Sequence, residues 1–274
     1  MTVGAETSEL EAIASEALAA LNSRSQIATF SSRVRGLSLA QAYGVTPRLR
    51  SAFEARGERI VGRKIGFTNR NMWKAFGVES PIWGYVTSGT TSNLSDASVA
   101  AAQDFAEPRI EPEIVFGLSA SPAAGMSEAQ LCNCIGWVAL GFEIVQSIYP
   151  GWAFAAPDCV AANSLHGALY VGERSAFAPR AQQWSRELAR FEVELSCNGD
   201  LAHRGGGALV LGSPLHALRH IVDLLAADPA NPPLAADEIV STGTLTLAAP
   251  IRPGERWAAR ASGIPLEDIA IQIA

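Results

Sequence analysis

Apolar residues recur at helical spacing early in the chain and at alternate positions further on. Leu10, Ile13, Ala14, Ala17, Leu18 and Leu21 fall on one helix face, and Ser8-Glu9-Leu10-Glu11 has the form of a capping box that would start that helix. Ser38-Leu39-Ala40-Gln41 offers a second cap. Thr46-Pro47 opens a third helix, with proline in its first turn and Gly57 just past its end. Residues 1–57 are therefore expected to form a small helical region ahead of a larger unit over 58–274.

From Arg59 the period changes. Ile60 to Phe67 reads as a strand and Asn69 to Phe76 as a short helix closed by Gly77. Ser127-x-x-Gln130 caps a helix that leads into an apolar strand, and Ala181 to Leu188 reads as another helix. Phe191 to Cys197 and Leu201 flank Asn198-Gly199, a hairpin signal. Ser213-Pro214 begins a helix with Leu215, Leu218, Ile221, Val222 and Leu225 on one face, ended by the proline-rich stretch from Asp228 to Pro233. Strands are expected over Glu238 to Thr242, Thr244 to Ala248, Arg256 to Ala261 and Ile269 to Ile273. Strands joined by short turns, without a β-α-β-α rhythm, predict an α+β fold on a mainly antiparallel sheet.

The bulk numbers narrow the function. At 274 residues and 48% hydrophobic content the chain can bury a substantial core. A net charge of -6, with no basic block beyond Arg33 to Arg35, disfavours nucleic acid and anionic membrane surfaces as partners. No apolar run reaches the roughly 18 residues of a membrane span. Glu6, Glu9 and Glu11 stand where a secretory leader would be basic, so a cytoplasmic location is expected. Cys132, Cys134, Cys159 and Cys197 form neither C-x-x-C nor a regular framework and read as reduced thiols.

Charge and strand pattern meet in Arg109-Ile110-Glu111-Pro112-Glu113-Ile114-Val115-Phe116. If this stretch is extended, Glu111 and Glu113 share one face while Ile110, Ile114 and Phe116 share the other. Carboxylates that close repel by about 4 kcal/mol at an effective dielectric near 20. They therefore require water, protonation or a cation. Glu143, in Gly141-Phe142-Glu143-Ile144-Val145, could supply a third oxygen ligand. Three carboxylates without clustered Cys or His suggest a hard divalent ion, Mg²⁺ or Mn²⁺, rather than Zn²⁺. For E-x-E alone, a solvated strand face is the competing reading. Lys64, between Gly62 and Gly66, either partners the cluster or points to solvent from an edge strand.

Other motifs carry less. His216 and His220 are spaced i, i+4 but lack the glutamate of H-E-x-x-H and a third ligand, so an exposed helix face is expected. His166 opens an apolar strand, either lining a pocket or hydrogen-bonded structurally, and His203 is isolated. Gly205-Gly206-Gly207 lacks the context of a phosphate loop, and no G-x-G-x-x-G, Walker A or G-x-S-x-G pattern occurs.

An ordered set of motifs is more specific than any of these. Gly62-x-Lys64-Ile65-Gly66-Phe67-Thr68, Gly77-Val78-x-x-Pro81-x-x-Gly84, Glu111-x-Glu113 and Glu143 resemble the 2-keto-4-pentenoate hydratase and 4-oxalocrotonate decarboxylase family of the fumarylacetoacetate hydrolase superfamily. The similarity continues through Gly151-Trp152, Asp158-x-Val160-Ala161-x-Asn163, Leu211-Gly212-x-Pro214 and Thr242-Gly243-Thr244. The resemblance implies a mixed β-roll or sandwich preceded by a small helical segment. It also implies that Glu111, Glu113 and Glu143 hold Mg²⁺ or Mn²⁺, which binds the carboxylate and 2-oxo or enol oxygens of a small dienoate.

Lys64 would line the same pocket, stabilising an enolate or positioning a proton. Asp158 is a candidate for orienting Lys64 or a water, and Asn163, Ser164 and Thr242 for contacting substrate. There are departures. Ile148 stands where similar proteins often carry arginine, Ala162 where an aspartate often precedes Asn163, and Ile82-Trp83 where an acidic residue and an aromatic are common. These spare the metal ligands and change pocket polarity.

The implied activity is hydration of a 2-hydroxy-2,4-dienoate to a 4-hydroxy-2-oxo acid in aromatic catabolism, by a homo-oligomer. Alternatives are decarboxylation of a 4-oxalocrotonate-like acid and C–C hydrolysis of an acylpyruvate. The hydrolysis would need a base, and no isolated Glu-His pair is apparent. A non-catalytic partner subunit is the remaining alternative, but a scaffold has no need to keep repelling carboxylates together.

Overall fold

The computed structural model describes residues 3–34 and 36–274, so Arg35 of the Arg33 to Arg35 patch lies outside the described residues. Four helices come first: α1 (Val3–Ser23), α2 (Phe30–Arg33), α3 (Leu39–Tyr43) and α4 (Thr46–Ala55). The Ser8 capping box does not begin α1 but lies inside it, because no proline ahead of it stops the helix from running through. The Ser38 box forms as expected, with Ser38 Oγ accepting from the Gln41 amide and Gln41 accepting from the Ser38 amide. α4 opens with Pro47 in its first turn, and Gly57 beyond its end has φ +83°.

Strands then dominate: β1 (Ile60–Gly66), β2 (Ile82–Thr87), β3 (Thr91–Asn93), β4 (Val99–Ala100), β5 (Arg109–Leu118), β6 (Ile135–Val145), β7 (His166–Val171), β8 (Ser175–Ala176), β9 (Glu192–Cys197), β10 (Asp200–Gly206), β11 (Ile239–Thr244), β12 (Ala249–Pro250), β13 (Arg256–Ser262) and β14 (Ile269–Ile273). Among them lie α5 (Trp73–Phe76), α6 (Glu128–Cys132), α7 (Ala156–Ala161), α8 (Ala181–Glu187) and α9 (Pro214–Ala226). Nine strands form one sheet in the order β2-β1-β11-β5-β6-β7-β3, with β12 on β5 and β8 on β6. The other sheet runs β10-β9-β13-β14-β4. The pairs β1·β11, β3·β7 and β14·β4 are parallel and the rest antiparallel, as the α+β reading expects.

The strand expected over Thr244 to Ala248 does not form. β11 continues through Thr244, its ladder with β5 slips between Ser241 and Thr244, and Gly243 sits there at φ +100°. A glycine bulge of this kind ends regular pairing, and residues 245–248 turn before the short β12.

Alternation along β5 and β6 divides the chemistry. Ile110, Ile114, Phe116, Val138, Leu140, Phe142 and Ile144 enter the main core, which the helices complete with Ile13, Ala17, Phe30, Leu49 and Phe53. Val115 and Ala139 point the other way, into a second small apolar cluster. Glu111, Glu113 and Glu143 are on that second face.

By composition Gly207–Ala226 could cross a membrane, with a mean hydropathy of 1.2. Leu211 (φ 51°) and Gly212 (φ 91°) interrupt it. The remaining 13-residue helix α9 is roughly 20 Å long, short of a bilayer's ~30 Å, and buries Leu215, Leu218, Ile221, Val222 and Leu225 in the core.

Candidate metal centre and active site

The register of the two longest strands makes the site. Glu111 on β5 stands directly opposite Glu143 on β6, and Glu113, two residues further along the same face, opposes Gly141. Each acid offers an oxygen, and these oxygens lie within 4.8 Å of one another. Like charges directly opposed across a ladder are destabilising. Glu113 and Glu143 are fully buried, which rules out the solvated-face reading, and Glu111 keeps an open edge.

Two of the six oxygens are braced by hydrogen bonds. Glu113 Oε2 accepts from Ser241 Oγ and, at 2.9 Å, from the Gly243 amide. Gly243 is required here, since a Cβ would lie 2.0 Å from Thr68 Oγ1. Glu143 Oε1 is 2.7 Å from His166 Nδ1, and His166 Nε2 is 2.9 Å from Thr90 Oγ1. Glu143 Oε2 is 3.1 Å from Lys64 Nζ, an ion pair by distance, yet it accepts no directed hydrogen bond.

Glu113 Oε1 is buried without a partner of any kind. A carboxylate oxygen shut away from water is costly unless something compensates it. Such an oxygen, in a cluster of three acids facing one ammonium, fits a hard divalent cation. Glu111, Glu113 and Glu143 are the residues that would hold it.

Lys64 is not an edge lysine. β1 is flanked by β2 and β11, and Lys64 is 3% exposed, donating to the Ser164 carbonyl at 3.1 Å. Burial alone would lower its pKa, but Glu143, Glu111 and Glu113 outweigh that and raise it. The acids respond unequally. Burial pushes Glu111 up to about 7 against the pull of Lys64. Burial and then the charges of Glu143 and Glu111 push Glu113 well above the carboxylate range. Burial would raise Glu143 too, yet Lys64 and His166 hold it below its usual value.

The turn beneath Lys64 is unusual. Asn163, Ser164 and Leu165 all adopt positive φ (51°, 56° and 62°), which costs non-glycine residues roughly 1–2 kcal/mol each. Asn163 pins the turn to β2, its Oδ1 accepting from the Tyr85 amide at 2.8 Å and its Nδ2 donating to the Tyr85 carbonyl at 2.9 Å. Gly84 permits the approach, because a Cβ there would stand 2.4 Å from the Asn163 carbonyl oxygen. The outcome is that Ser164 Oγ faces the cavity, buried and without a partner.

Three expected site residues are placed otherwise. Asp158 spends its carboxylate on the Ser31 amide and hydroxyl (2.8 and 2.6 Å) and the Ala155 amide (2.9 Å), tying α2 to α7, and makes no ion pair with Lys64. The Asn163 side chain is a brace for β2. Thr242 Oγ1 donates to the Ile114 carbonyl at 2.9 Å and does not line the cavity.

The sequence reading missed Ser241, which only the β11·β5 register brings to Glu113. It also left His166 open. A Glu-His pair does form, but its carboxylate belongs to the acid cluster and its outer nitrogen faces Thr90. His216 and His220 gather no third ligand among the described residues.

A cavity of about 240 Å³ opens beside Lys64, Glu111 and Ser164. Arg109, two residues before Glu111 on the same face, lies over the Trp152 ring at 4.1 Å and makes no ion pair among the described residues. Ile82 lines the wall, so the departure noted there does make the pocket less polar.

No family model matches the chain. The chain is 30% identical over 207 residues to a 2-hydroxypent-2,4-dienoate hydratase of Pseudomonas putida, covering 75% of this chain and 90% of that one. It is 28% identical over 239 residues to a 2-hydroxyhexa-2,4-dienoate hydratase of Comamonas testosteroni, covering 87% and 88%. The solved 4-oxalocrotonate decarboxylase of Pseudomonas putida G7, complexed with magnesium and adipate, superposes with a TM-score of 0.88 at 27% identity over 97% of this chain and 98% of that one. A fumarylacetoacetate isomerase/hydrolase-type structure from Oleispira antarctica aligns at TM-score 0.58 and 17% identity, over 79% of this chain and 95% of that one, a likeness of fold.

Proposed function

The chain belongs to the 2-keto-4-pentenoate hydratase and 4-oxalocrotonate decarboxylase family, and from that premise we propose that it is a divalent-metal-dependent hydratase of 2-hydroxy-2,4-dienoates in aromatic catabolism. One observation carries the reading: a three-acid cluster in which Glu113 keeps a buried oxygen without a partner, beside a buried ammonium and a cavity. Bound Mg²⁺ or Mn²⁺ would draw charge from the substrate's carboxylate and 2-oxygen.

The protein's own groups do the rest. Lys64, kept protonated by the acids around it, stabilises the negative charge on the substrate's 2-oxygen as the dienol hydroxyl loses its proton. C5 gains a proton, and water then adds its oxygen to C4 and a proton to C3, giving the 4-hydroxy-2-oxo acid. Ser164 Oγ, free of other partners, orients substrate or water. Asp158, Asn163 and Thr242 support this arrangement from outside the cavity.

Decarboxylation is the second reading, favoured by the superposition on a decarboxylase over nearly the whole chain. The same withdrawal of charge would accept the electron pair left when CO₂ departs. Carbon dioxide release, measured against loss of dienol absorbance without it, separates the two. C–C hydrolysis is disfavoured, since the Glu143–His166 pair is tied into the acid cluster.

Glu113→Gln is expected to abolish metal-dependent turnover with the fold intact by circular dichroism. Full activity of that variant in the presence of chelator would refute the assignment, and failure of the purified protein to bind any divalent ion would favour a scaffold. The four cysteines are unpaired, in keeping with a cytoplasmic setting. Self-association is expected from the family resemblance, and light scattering measures it.

A further inference from the structure

Arginines that stack on rings in this protein usually hold something with their edge as well. Arg33, Arg56, Arg63, Arg174 and Arg180 each lie over an aromatic ring and also reach an acid or amide side chain. Arg70 stacks too, but it is exposed to water. Arg109 differs from all of them. It is half-buried, lies 4.1 Å over Trp152, and forms no side-chain hydrogen bond or ion pair among the described residues.

A guanidinium stacked by its face keeps its N–H donors free at the edge. The acid nearest in sequence is engaged elsewhere, since the Glu107 carboxylate accepts from the Gly151 amide at 3.0 Å. Trp152 is itself fixed, its indole N–H donating to the Glu107 carbonyl at 3.0 Å. Burial weighs against the charge of Arg109 more than Glu111 and Glu107 support it. An idle, partly dehydrated cation therefore borders the same cavity as Lys64 and Glu111.

Register sets the two cations at opposite ends of the acid row. Lys64 is level with Ser241, and Ser241 with Val115, beyond Glu113. Arg109 stands on the other side of Glu111, about 7 Å along the strand. A divalent ion and Lys64 together neutralise the three acids, so the negative charge of an arriving carboxylate is left to Arg109.

Resting on the metal-anchored reading above, we infer that Arg109 is a carboxylate-binding residue whose guanidinium edge takes the C1 carboxylate of the substrate while Trp152 holds its plane. With the carboxylate at Arg109, the neighbouring 2-oxygen faces Lys64, so the two cations fix which way the head lies on the ion. Both hydration and loss of a far carboxylate keep this group, and the grip serves either reaction.

The test uses binding, so it does not depend on turnover. Isothermal titration of the full-length protein would measure Mg²⁺ first, then pyruvate and 2-oxoadipate on the Mg²⁺-loaded form. Arg109→Gln is expected to weaken both acids by the same factor, about 10- to 100-fold, without weakening Mg²⁺ binding. Arg109→Lys keeps the charge but not the planar fork and should recover part of the loss. That recovery separates lost recognition from a loosened Trp152.

Unchanged pyruvate affinity in Arg109→Gln overturns the inference and leaves the metal reading standing. A loss confined to 2-oxoadipate also overturns it, assigning Arg109 to the far end of the ligand. Equal losses in the Gln and Lys variants together with weaker Mg²⁺ binding overturn it as well, making Arg109 a packing residue. Absence of metal-dependent binding of either acid by the unaltered protein defeats the inference together with the function on which it rests.

Discussion

Arg63 and Lys64 are adjacent on β1, both buried, and point to opposite faces of the sheet. Arg63 is matched: it donates to the Gly62 carbonyl at 3.0 Å, pairs with Glu238 at 3.2 Å and lies 4.2 Å over the Tyr85 ring, leaving only Nε without a partner. Lys64 is outnumbered, one ammonium against three acids, of which Glu113 keeps a buried oxygen without a partner. A matched buried ion holds structure together, whereas a surplus of one sign marks a place for a ligand of the other. Neighbouring cations thus differ by the balance of charge around them, not by their depth.

Changing each residue should separate the two roles. Lys64→Met is expected to lower kcat about 10²- to 10⁴-fold with the metal still bound and the melting temperature nearly unchanged. A parallel loss of fold would make Lys64 structural like its neighbour. Arg63→Met should do the reverse, costing roughly 3 kcal/mol of stability in denaturant unfolding, while the folded fraction keeps its kcat. Below these comes His166→Ala, which loosens Glu143 and should weaken metal affinity about 10- to 100-fold without affecting Arg63's face.

The smallest effect is that of pH on the surplus itself. Glu111, raised to about 7, carries a proton below that value, and the metal must displace it. Affinity for Mg²⁺ should therefore fall about tenfold per unit as pH drops below about 7, with Glu113, also raised well above the carboxylate range, adding to the slope. A raised acid contributes stability below its unfolded pKa and loses it as pH rises through the folded one. The melting temperature gained on adding metal should accordingly grow from pH 5 to pH 8. A gain that is flat across that range would mean the acids are already ionised.

What could be read from the sequence was what local physics decides. Alternation placed the acids of β5 on one face, Asn198-Gly199 marked its hairpin, and the Ser38 and Ser127 boxes capped their helices. The acid trio was legible because three acids in apolar strands are costly wherever they end up, and because the ordered motifs around them resemble one family. Side chains whose partners lie far off in sequence were not: Asp158 meets Ser31 across 127 residues, and Ser241 meets Glu113 across 128. His166 was ambiguous because an imidazole in an apolar strand declares its neighbour only through register, here β6 against β7. Thr242 and Asn163 sat in motifs that mark the site's backbone, and their side chains serve that backbone.

The opposition of Glu111 and Glu143 across a single rung has a consequence for how the protein comes together. Were β5 and β6 to zip up one residue out of step, alternation would swing Glu143 toward the apolar side and scatter the trio. A divalent ion can therefore be captured only by the correctly aligned hairpin. Present during refolding, it would act as a template that rewards true alignment and leaves slipped chains behind.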